Sequence, residues 1–284
     1  MHENYRFEFI RPHDPAELAE ISALLRAIFP KARHLTPRYL AWQYAANPDG
    51  EAVGCNAWAG DRLVGHLGAI ALAARVEGEA QSGALLLNSA VDAGHRRRGL
   101  QSALSKRMFE VMVARGYRFC ISTGNRFSIM PLLSKSFRML RPLEARIGFG
   151  TPGVAPHAVR PSFERVWSDE AMRWRLANPE ACYATRASRD DLLILADSRV
   201  SGIAATLYSG PNAWGVASGG EVPDRLRLWI GADPNVRWSR SAFLPIPLAL
   251  RPAPLHLVYR DLTGGGFAPD PERLLFRALD FDAY

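Results

Sequence analysis

The residues best suited to chemistry lie in one short segment, from Val91 to Leu104, between an apolar strand and an amphipathic helix. Three consecutive arginines, Arg96 to Arg98, precede Gly99. A glycine lets the backbone approach a ligand closely, and the first N–H groups of a helix lack partners within the helix and favour anions. Arginine side chains add charge that can pair with phosphates. The segment therefore predicts a diphosphate-binding turn that works through main-chain amides.

Other phosphate-binding motifs do not fit this sequence. It contains no G-x-x-x-x-G-K-[ST] motif, and no G-x-G-x-x-G opens a helix after a strand. The run Gly264 to Gly266 is followed by Phe267 and Pro269 and is typical of a flexible loop. For the arginine run, a solvated turn before a capped helix and a nucleic-acid contact remain as alternatives.

The segments around this turn indicate an α/β protein. Apolar residues at helical spacing predict helices over 15–29 and 100–114, and Thr36-Pro37 starts another that stops before Asn47-Pro48. Strand, turn, helix and strand follow one another after residue 84, an order that predicts a right-handed crossover between parallel strands. A further helix is expected after Asn125. The predicted strands of this part are 5–10, 52–59, 62–76, 84–91, 117–122 and 137–149.

A proline-rich segment from Gly150 to Pro161, with Pro152 and Pro156 inside it, suits neither helix nor sheet. We place a domain boundary there, which gives domains of 1–150 and 151–284. The second part is expected to begin with a helix over 163–176 and to continue as strands at 182–187, 192–196, 202–208 and 275–281.

A weak internal repeat links the two parts. The run from Trp42 to Pro48, WQYAANP, is echoed one residue shorter by the run from Trp174 to Pro179, WRLANP. We also match the turn at 61–65 with the turn at 197–202. The second part has no counterpart of the arginine-glycine turn.

The motif Arg96-x-x-Gly99-x-Gln101 resembles the coenzyme A loop of the GNAT (N-acetyltransferase) superfamily, Q/R-x-x-G-x-G/A. Gln101 departs from the usual glycine or alanine. The resemblance covers roughly the first 150 residues and implies a GNAT-like mixed sheet with crossover helices. The repeated tryptophan and Asn-Pro resemble longer bacterial members, which implies a second, smaller and degenerate GNAT-like half.

This resemblance also implies the cosubstrate and its contacts. Acetyl-CoA, or another acyl-CoA, would pair its pantetheine arm with the backbone at Val91. The thioester would lie where strands 84–91 and 117–122 splay apart, and an amine would attack it directly. The residues expected to hold the pyrophosphate are Arg96, Arg97, Arg98, Gly99, Leu100, Gln101 and Ser102.

The segment from Asn125 to Phe137 resembles the family's N-x-x-A/S-x-x-L-Y-x-K-x-G-F helix, and Asn125 is therefore expected at the cofactor. Leu132 falls where many members carry the tyrosine that protonates the leaving thiolate. Ser136 replaces the usual glycine. Ser134 or water would have to supply the proton, or the fold no longer catalyses.

No residue is singled out as the general base. The candidates near acceptor-facing segments are His66, Asn88, Ser89, Asp92 and Glu144. A histidine in an apolar strand such as His66 is more often a core residue. Aromatics at helical spacing are usually core residues as well, and the same reading applies to Trp42, Tyr44, Trp167 and Trp174. The seven histidines show no metal-binding spacing, so no metal is expected.

Composition is consistent with an anionic ligand. The net charge is +7, mostly from scattered arginine. Cys55, Cys120 and Cys182 lack C-x-x-C spacing, and the chain has neither a signal-peptide pattern nor an apolar run of membrane-spanning length, which together predict a soluble cytoplasmic protein. We expect an acyl-CoA-dependent N-acyltransferase for a small amine, for example an amino sugar. The alternatives are a non-catalytic acyl-CoA sensor and a basic nucleic-acid-binding protein.

Overall fold

The structure is a computed structural model that describes residues 4–125, 127–155, 158–198, 200–221, 226–251 and 254–281. Arg126 of the second motif, Pro156 of the proline-rich segment and Arg199 of the repeat lie outside these residues. The helices are Pro15–Ile28 (α1), Pro37–Tyr44 (α2), Leu100–Ala114 (α3), Ile129–Leu133 (α4), Asp169–Leu176 (α5) and Ala278–Phe281 (α6).

The strands are Tyr5–Phe9 (β1), Val53–Ala59 (β2), Arg62–Val76 (β3), Glu79–Val91 (β4), Phe119–Gly124 (β5), Arg138–Pro142 (β6), Glu144–Phe149 (β7), Phe163–Arg165 (β8), Tyr183–Ala187 (β9), Asp191–Asp197 (β10), Ile203–Pro211 (β11), Leu226–Ala232 (β12), Ala242–Pro245 (β13), His256–Asp261 (β14) and Leu274–Arg277 (β15). The predicted α/β fold is therefore confirmed.

Two groups of strands repeat one pattern of pairing. In the first group the order is β2-β3-β4-β5-β14-β6, and β4 and β5 are its parallel neighbours. In the second group the order is β9-β10-β11-β12-β7-β13, and β11 and β12 are parallel. All other pairs within the two groups are antiparallel. Because order and direction agree position by position, the two halves share one topology.

The halves exchange one strand each. The fifth position of the first group is filled by β14, from the end of the chain, whereas the fifth position of the second group is filled by β7, from before the proline-rich segment. Strand β8 pairs with β3 and β15, and β15 pairs with β12, so the two groups form one continuous sheet. The division into 1–150 and 151–284 stays a prediction, and strands cross it in both directions.

Helices cover both faces of the first group of strands, which explains why β2 is buried along almost its whole length. Helix α3 packs Leu104 and Met108 on Cys55 and Leu67, on one face. Helices α1 and α2 pack on the other face, in a core that also contains Phe276 of β15. Both faces of the strands next to the predicted turn are therefore fixed by helices.

A reciprocal contact joins the two copies of the repeated helix. Trp42 Nε1 donates to the carbonyl oxygen of Trp174 at 2.9 Å, Trp174 Nε1 donates to that of Trp42 at 3.0 Å, and the two rings stack at 4.6 Å. Thr36 and Ser168 cap α2 and α5 at the same distance from their tryptophans. The sequence repeat thus corresponds to a pair of helices related by a local two-fold axis.

Three sequence predictions need correction. The match of the turn at 61–65 with that at 197–202 is wrong. The order of the strands pairs the connection between β2 and β3 with that between β9 and β10, and the connection between β3 and β4 with that between β10 and β11. The predicted helix over 163–176 begins as strand β8, whose apolar residues complete the edge of β3, and becomes helical only after the Ser168 cap. The predicted strand over 275–281 ends at Arg277 and turns into α6.

Candidate functional site

The predicted diphosphate-binding turn is exposed at the start of α3. Gly99 precedes the helix with φ 77°, a left-handed conformation that suits glycine, and a Cβ added there would meet no protein atom within 4 Å. The N–H groups of Ser102 and Ala103 donate to the Gly99 carbonyl. Those of Leu100 and Gln101 make no hydrogen bond to any described part of the chain. The turn therefore offers unpaired amides to an anion.

The arginines of this turn differ in what they contact. Arg96 Nε donates to the Val91 carbonyl at 3.2 Å, so this side chain folds back on the turn and braces the end of β4. Arg98 donates to the Tyr5 hydroxyl at 3.1 Å. Arg97 is exposed and has φ 60°. Of the three, Arg97 is the one that makes no side-chain hydrogen bond or ion pair with any described residue, so its charge is exposed to solvent.

The remaining predicted turn residues contribute through different atoms. Leu100 has a buried side chain packed in the core with Leu104, so only its main chain is available to a ligand. Gln101 Nε2 donates to Ser89 Oγ at 2.7 Å, which ties the helix start to β4. Ser102 is exposed one residue further along the helix.

Strands β4 and β5 separate, as the resemblance implied. Their parallel pairing runs only from Gly83 to Leu85 on β4, although β4 continues to Val91. Beyond it, Ser122 Oγ donates to the Leu86 carbonyl at 3.0 Å. The rest of β5 is paired with β14 on its other edge. A gap between β4 and β5 therefore opens next to the start of α3.

A β-bulge lies at this gap. In the pairing of β3 with β4, Gly68 faces Leu87 and His66 faces Ala90, so two residues of β4, Asn88 and Ser89, oppose one residue of β3. Asn88 has φ 51°, which asparagine tolerates better than most residues. A bulge disrupts the ladder of main-chain hydrogen bonds locally and redirects side chains.

The candidate base His66 is part of a buried chain of hydrogen bonds. Glu17 Oε1 accepts from Asn56 Nδ2 at 2.9 Å, Asn56 Oδ1 lies 2.7 Å from His66 Nδ1, and His66 Nε2 lies 2.9 Å from the Tyr44 hydroxyl. Asn88 Nδ2 donates to the Tyr44 hydroxyl at 2.7 Å. Burial lowers the pKa of His66 to about 3 and raises that of Tyr44. His66 is thus a neutral core histidine at ordinary pH.

Of the other four candidate bases, two lie on the bulge and two are paired with arginines. Asp92 caps the short turn after β4 by accepting from the Gly94 N–H, and its other oxygen binds Arg62 at 2.7 Å. Glu144 lies on β7 between Arg141 and Arg146, within the second group of strands. Of the five candidates, Asn88 and Ser89 are those that the structure places on the bulge.

The second motif forms the turn into α4. Asn125 Oδ1 accepts from the N–H groups of Phe127 and Ser128, so its side chain caps this turn. Leu132, at the position of the family tyrosine, is 7% exposed and packs in the core. Ser134 donates to the Pro131 carbonyl. Ser136 has φ 64°, which explains why glycine is usual at this position.

The aromatic residues assigned to the core are buried in three cases of four. Trp42, Tyr44 and Trp174 are at most 8% exposed, and Trp167 is half-buried against Arg165. Sequence reasoning missed the polar role of Tyr44. Its hydroxyl fills the space beside Gly68, where an added Cβ would lie 2.7 Å from the oxygen. The tyrosine-histidine contact joins residues 22 apart and has no local signature.

Residues 9–131 match the sequence model of the acetyltransferase (GNAT) domain. This part of the chain is a GNAT domain. It contains the turn before α3, the bulge of β4 and the first residues of α4. None of the curated proteins matches the sequence.

Solved structures extend the likeness of fold beyond the GNAT domain. A probable N-acyltransferase from Enterococcus faecalis V583 aligns with TM-score 0.65 and 10% identity, over 93% of this chain and 74% of its own. A GCN5-related N-acetyltransferase from Anabaena variabilis ATCC 29413 gives 0.61 and 8%, over 90% and 73%. Eis1 from Mycobacterium abscessus gives 0.58 and 10%, over 91% and 74%. At these identities the likeness establishes the fold.

The described residues include neither a metal-binding cluster nor a membrane-spanning helix. No group of three histidine, cysteine, aspartate or glutamate side chains in that part of the chain is arranged to hold a metal ion. None of the helices that the structure describes has the length and apolar character needed to cross a bilayer.

Proposed function

We propose that the GNAT domain binds an acyl-CoA and transfers its acyl group to an amine. The observation that carries the proposal is the position of the unpaired amides of Leu100 and Gln101 beside the gap between β4 and β5. A diphosphate on these amides would leave the rest of an extended ligand free to enter the gap. The sequence match to the GNAT domain supports the same assignment.

The residues of this chain fit the parts of such a ligand. The amides of Leu100 and Gln101, with the charge of Arg97, would hold the diphosphate. Arg96, braced on the carbonyl of Val91, would keep the turn rigid. An unpaired main-chain N–H at the bulge would polarise a carbonyl in the gap. Asn125, whose Oδ1 is used in capping, would be left with its Nδ2 for the ligand.

A bound acyl-CoA supplies a thioester carbonyl that is reactive toward amines. The transfer forms a bond between the amine nitrogen and the carbonyl carbon and breaks the bond between carbon and sulfur. The amine gives up one proton, and the leaving thiolate takes one. Leu132, at the position of the family tyrosine, is a hydrocarbon side chain and cannot donate that proton, so water in the gap is the proposed donor.

Buried Leu132 also favours a second candidate, a sensor that binds acyl-CoA without transferring the acyl group. Both candidates predict binding, so they differ only in turnover.

The three cysteines are free, as expected in a reducing compartment, and we assign the protein to the cytoplasm.

The test uses purified full-length protein. Acetyl-CoA should raise the Tm, and free thiol should appear when acetyl-CoA is mixed with a panel of amines. Binding without thiol release across a panel of aliphatic, aromatic and sugar amines would favour the sensor. An unchanged Tm with acetyl-CoA and longer acyl-CoA compounds would exclude both candidates.

A further inference from the structure

Asn88 lies on the bulge of β4, and its surroundings fix how its amide is turned. Its Nδ2 donates to Gln43 Oε1 at 2.8 Å and to the Tyr44 hydroxyl at 2.7 Å. Both partners lie on α2 and are buried, whereas Asn88 itself is half-buried. A reversed amide would instead turn its oxygen toward α2.

The buried chain behind Tyr44 excludes the reversed amide. The Glu17 carboxylate accepts from the main-chain and side-chain N–H groups of Arg11 and from Asn56 Nδ2, so Asn56 turns its Oδ1 toward His66. Neutral His66 must then carry its proton on Nδ1 and accept at Nε2. The proton of the Tyr44 hydroxyl is consequently committed to His66.

Because the Tyr44 hydroxyl donates its proton to His66, its oxygen can only accept a hydrogen bond from Asn88. Reversing the Asn88 amide would place its oxygen against that of Tyr44 with no hydrogen between them. The direction of every donor from Glu17 outward therefore leaves the Asn88 Oδ1 atom as the end of the chain, turned away from α2 and available as an acceptor.

The two bulge residues are tied to opposite faces of the sheet. Ser89 is hydrogen-bonded to Gln101 of α3, the helix assigned to the diphosphate, and Asn88 is hydrogen-bonded to α2 on the other face. A ligand held by the start of α3 thus approaches the bulge from one side. The side of Asn88 is left for a second molecule.

We infer that Asn88 Oδ1 accepts a hydrogen bond from an N–H of the acceptor amine and orients it toward the gap, with Tyr44 and Gln43 as positioning residues. This inference rests on the proposed acyl transfer.

The decisive variant is Asn88→Gly, because glycine adopts φ 51° without strain and so keeps the bulge. The KM for the best amine of the panel should rise about tenfold, the factor for one hydrogen bond of about 1.4 kcal/mol. The Tm shift with acetyl-CoA should stay as in wild type. The matched variant Ser89→Ala, on the α3 side, should leave the KM for the amine unchanged and weaken the response to acetyl-CoA.

Tyr44→Phe tests the positioning role. It should raise the KM for the amine by less than Asn88→Gly, and it should add nothing in the double variant, since its effect passes through the Asn88 amide. An additive double variant would indicate a merely structural role. If Tyr44→Phe fails to fold, Gln43→Ala removes the other partner of the same amide and gives the same test.

The outcomes separate the inference from the function on which it rests. An unchanged KM for the amine in Asn88→Gly would overturn the inference while acyl transfer stands. If acetyl-CoA fails to raise the Tm of the wild-type protein, the proposed function itself is overturned.

Discussion

Replacing Gly99 with alanine separates the stability of α3 from its capacity to bind a diphosphate. Gly99 has φ 77°, and an added Cβ would meet no protein atom within 4 Å. The cost to folding is then the left-handed backbone alone, about 1–2 kcal/mol. A methyl group beside the amides of Leu100 and Gln101 would, however, obstruct a diphosphate that must approach them closely.

Gly116, just beyond the other end of the same helix, is the matched control. It has φ 79°, and an added Cβ there would also meet nothing within 4 Å. The two alanine variants should therefore lose stability equally, and only the variant at Gly99 should lose ligand binding.

The size of the effect can be estimated for thermal unfolding followed by tryptophan fluorescence. At acetyl-CoA a hundred times above Kd, wild-type protein should gain about 2.7 kcal/mol, which is roughly 5 °C in Tm for a chain of this size. A hundredfold weaker Kd in Gly99→Ala would reduce this gain to about 0.4 kcal/mol, or roughly 1 °C. A full shift in Gly99→Ala, or a lost shift in Gly116→Ala, would refute the proposed placement of the diphosphate.

Three further predictions concern stability. Trp42→Phe and Trp174→Phe each remove one buried hydrogen bond from an indole N–H to a main-chain carbonyl, so each should cost about 0.5–1.5 kcal/mol in urea unfolding, with a coupling above about 0.5 kcal/mol in the double variant. Burial lowers the pKa of His66 to about 3 in the folded protein, whereas a histidine in the unfolded chain has a pKa near 6.5. Between these two pH values His66 is protonated in the unfolded chain but neutral in the folded protein. Stability from this group is full above pH 6.5 and falls by about 1.4 kcal/mol at pH 5.5. Gly148→Ala would place a Cβ 2.0 Å from the Ala242 carbonyl oxygen, which should displace β13, cost about 1–3 kcal/mol and speed hydrogen exchange in β13.

Each of these predictions has a control. If the stability costs of the two tryptophan substitutions simply add in the double variant, that result would contradict the reciprocal contact. His66→Gln, which can donate and accept but does not titrate, should lose the extra acid sensitivity, and an unchanged pH dependence would contradict the assignment. Gly153→Ala, where an added Cβ meets nothing within 4 Å and φ is not left-handed, should be nearly neutral.

Local sequence patterns predicted the helices that bury one apolar face. The apolar stripe that includes Leu18 and Leu25 gave α1, and the glycine before Leu100 gave the start of α3, because helix periodicity and capping are local properties. The helix predicted from 163 failed at its first turn, because Phe163 is fixed by pairing with β3 and its aromatic neighbours and not by its own sequence. The strand exchange could not be predicted, because no local sequence pattern indicates which group of strands β7 or β14 will pair with.

The site was predictable only in part, for similar reasons. The turn around Gly99 has a compact motif, so its position next to a strand and a helix followed from the sequence. The bulge at Asn88 depends on how β3 and β4 are registered, which a single strand does not reveal. The amide orientation of Asn88 depends on Glu17, 71 positions earlier, through three intervening side chains.

The exchange of β7 and β14 has a consequence for synthesis on the ribosome. Strands β5 and β6 leave the ribosome long before β14, which follows the end of β6 by more than 110 residues. At about 5–20 residues per second, the place between them stays vacant for roughly 6–23 s. During that interval β5 presents an open, apolar edge to other nascent chains, so production of this protein should depend on chaperone capacity more strongly than its folded stability would suggest.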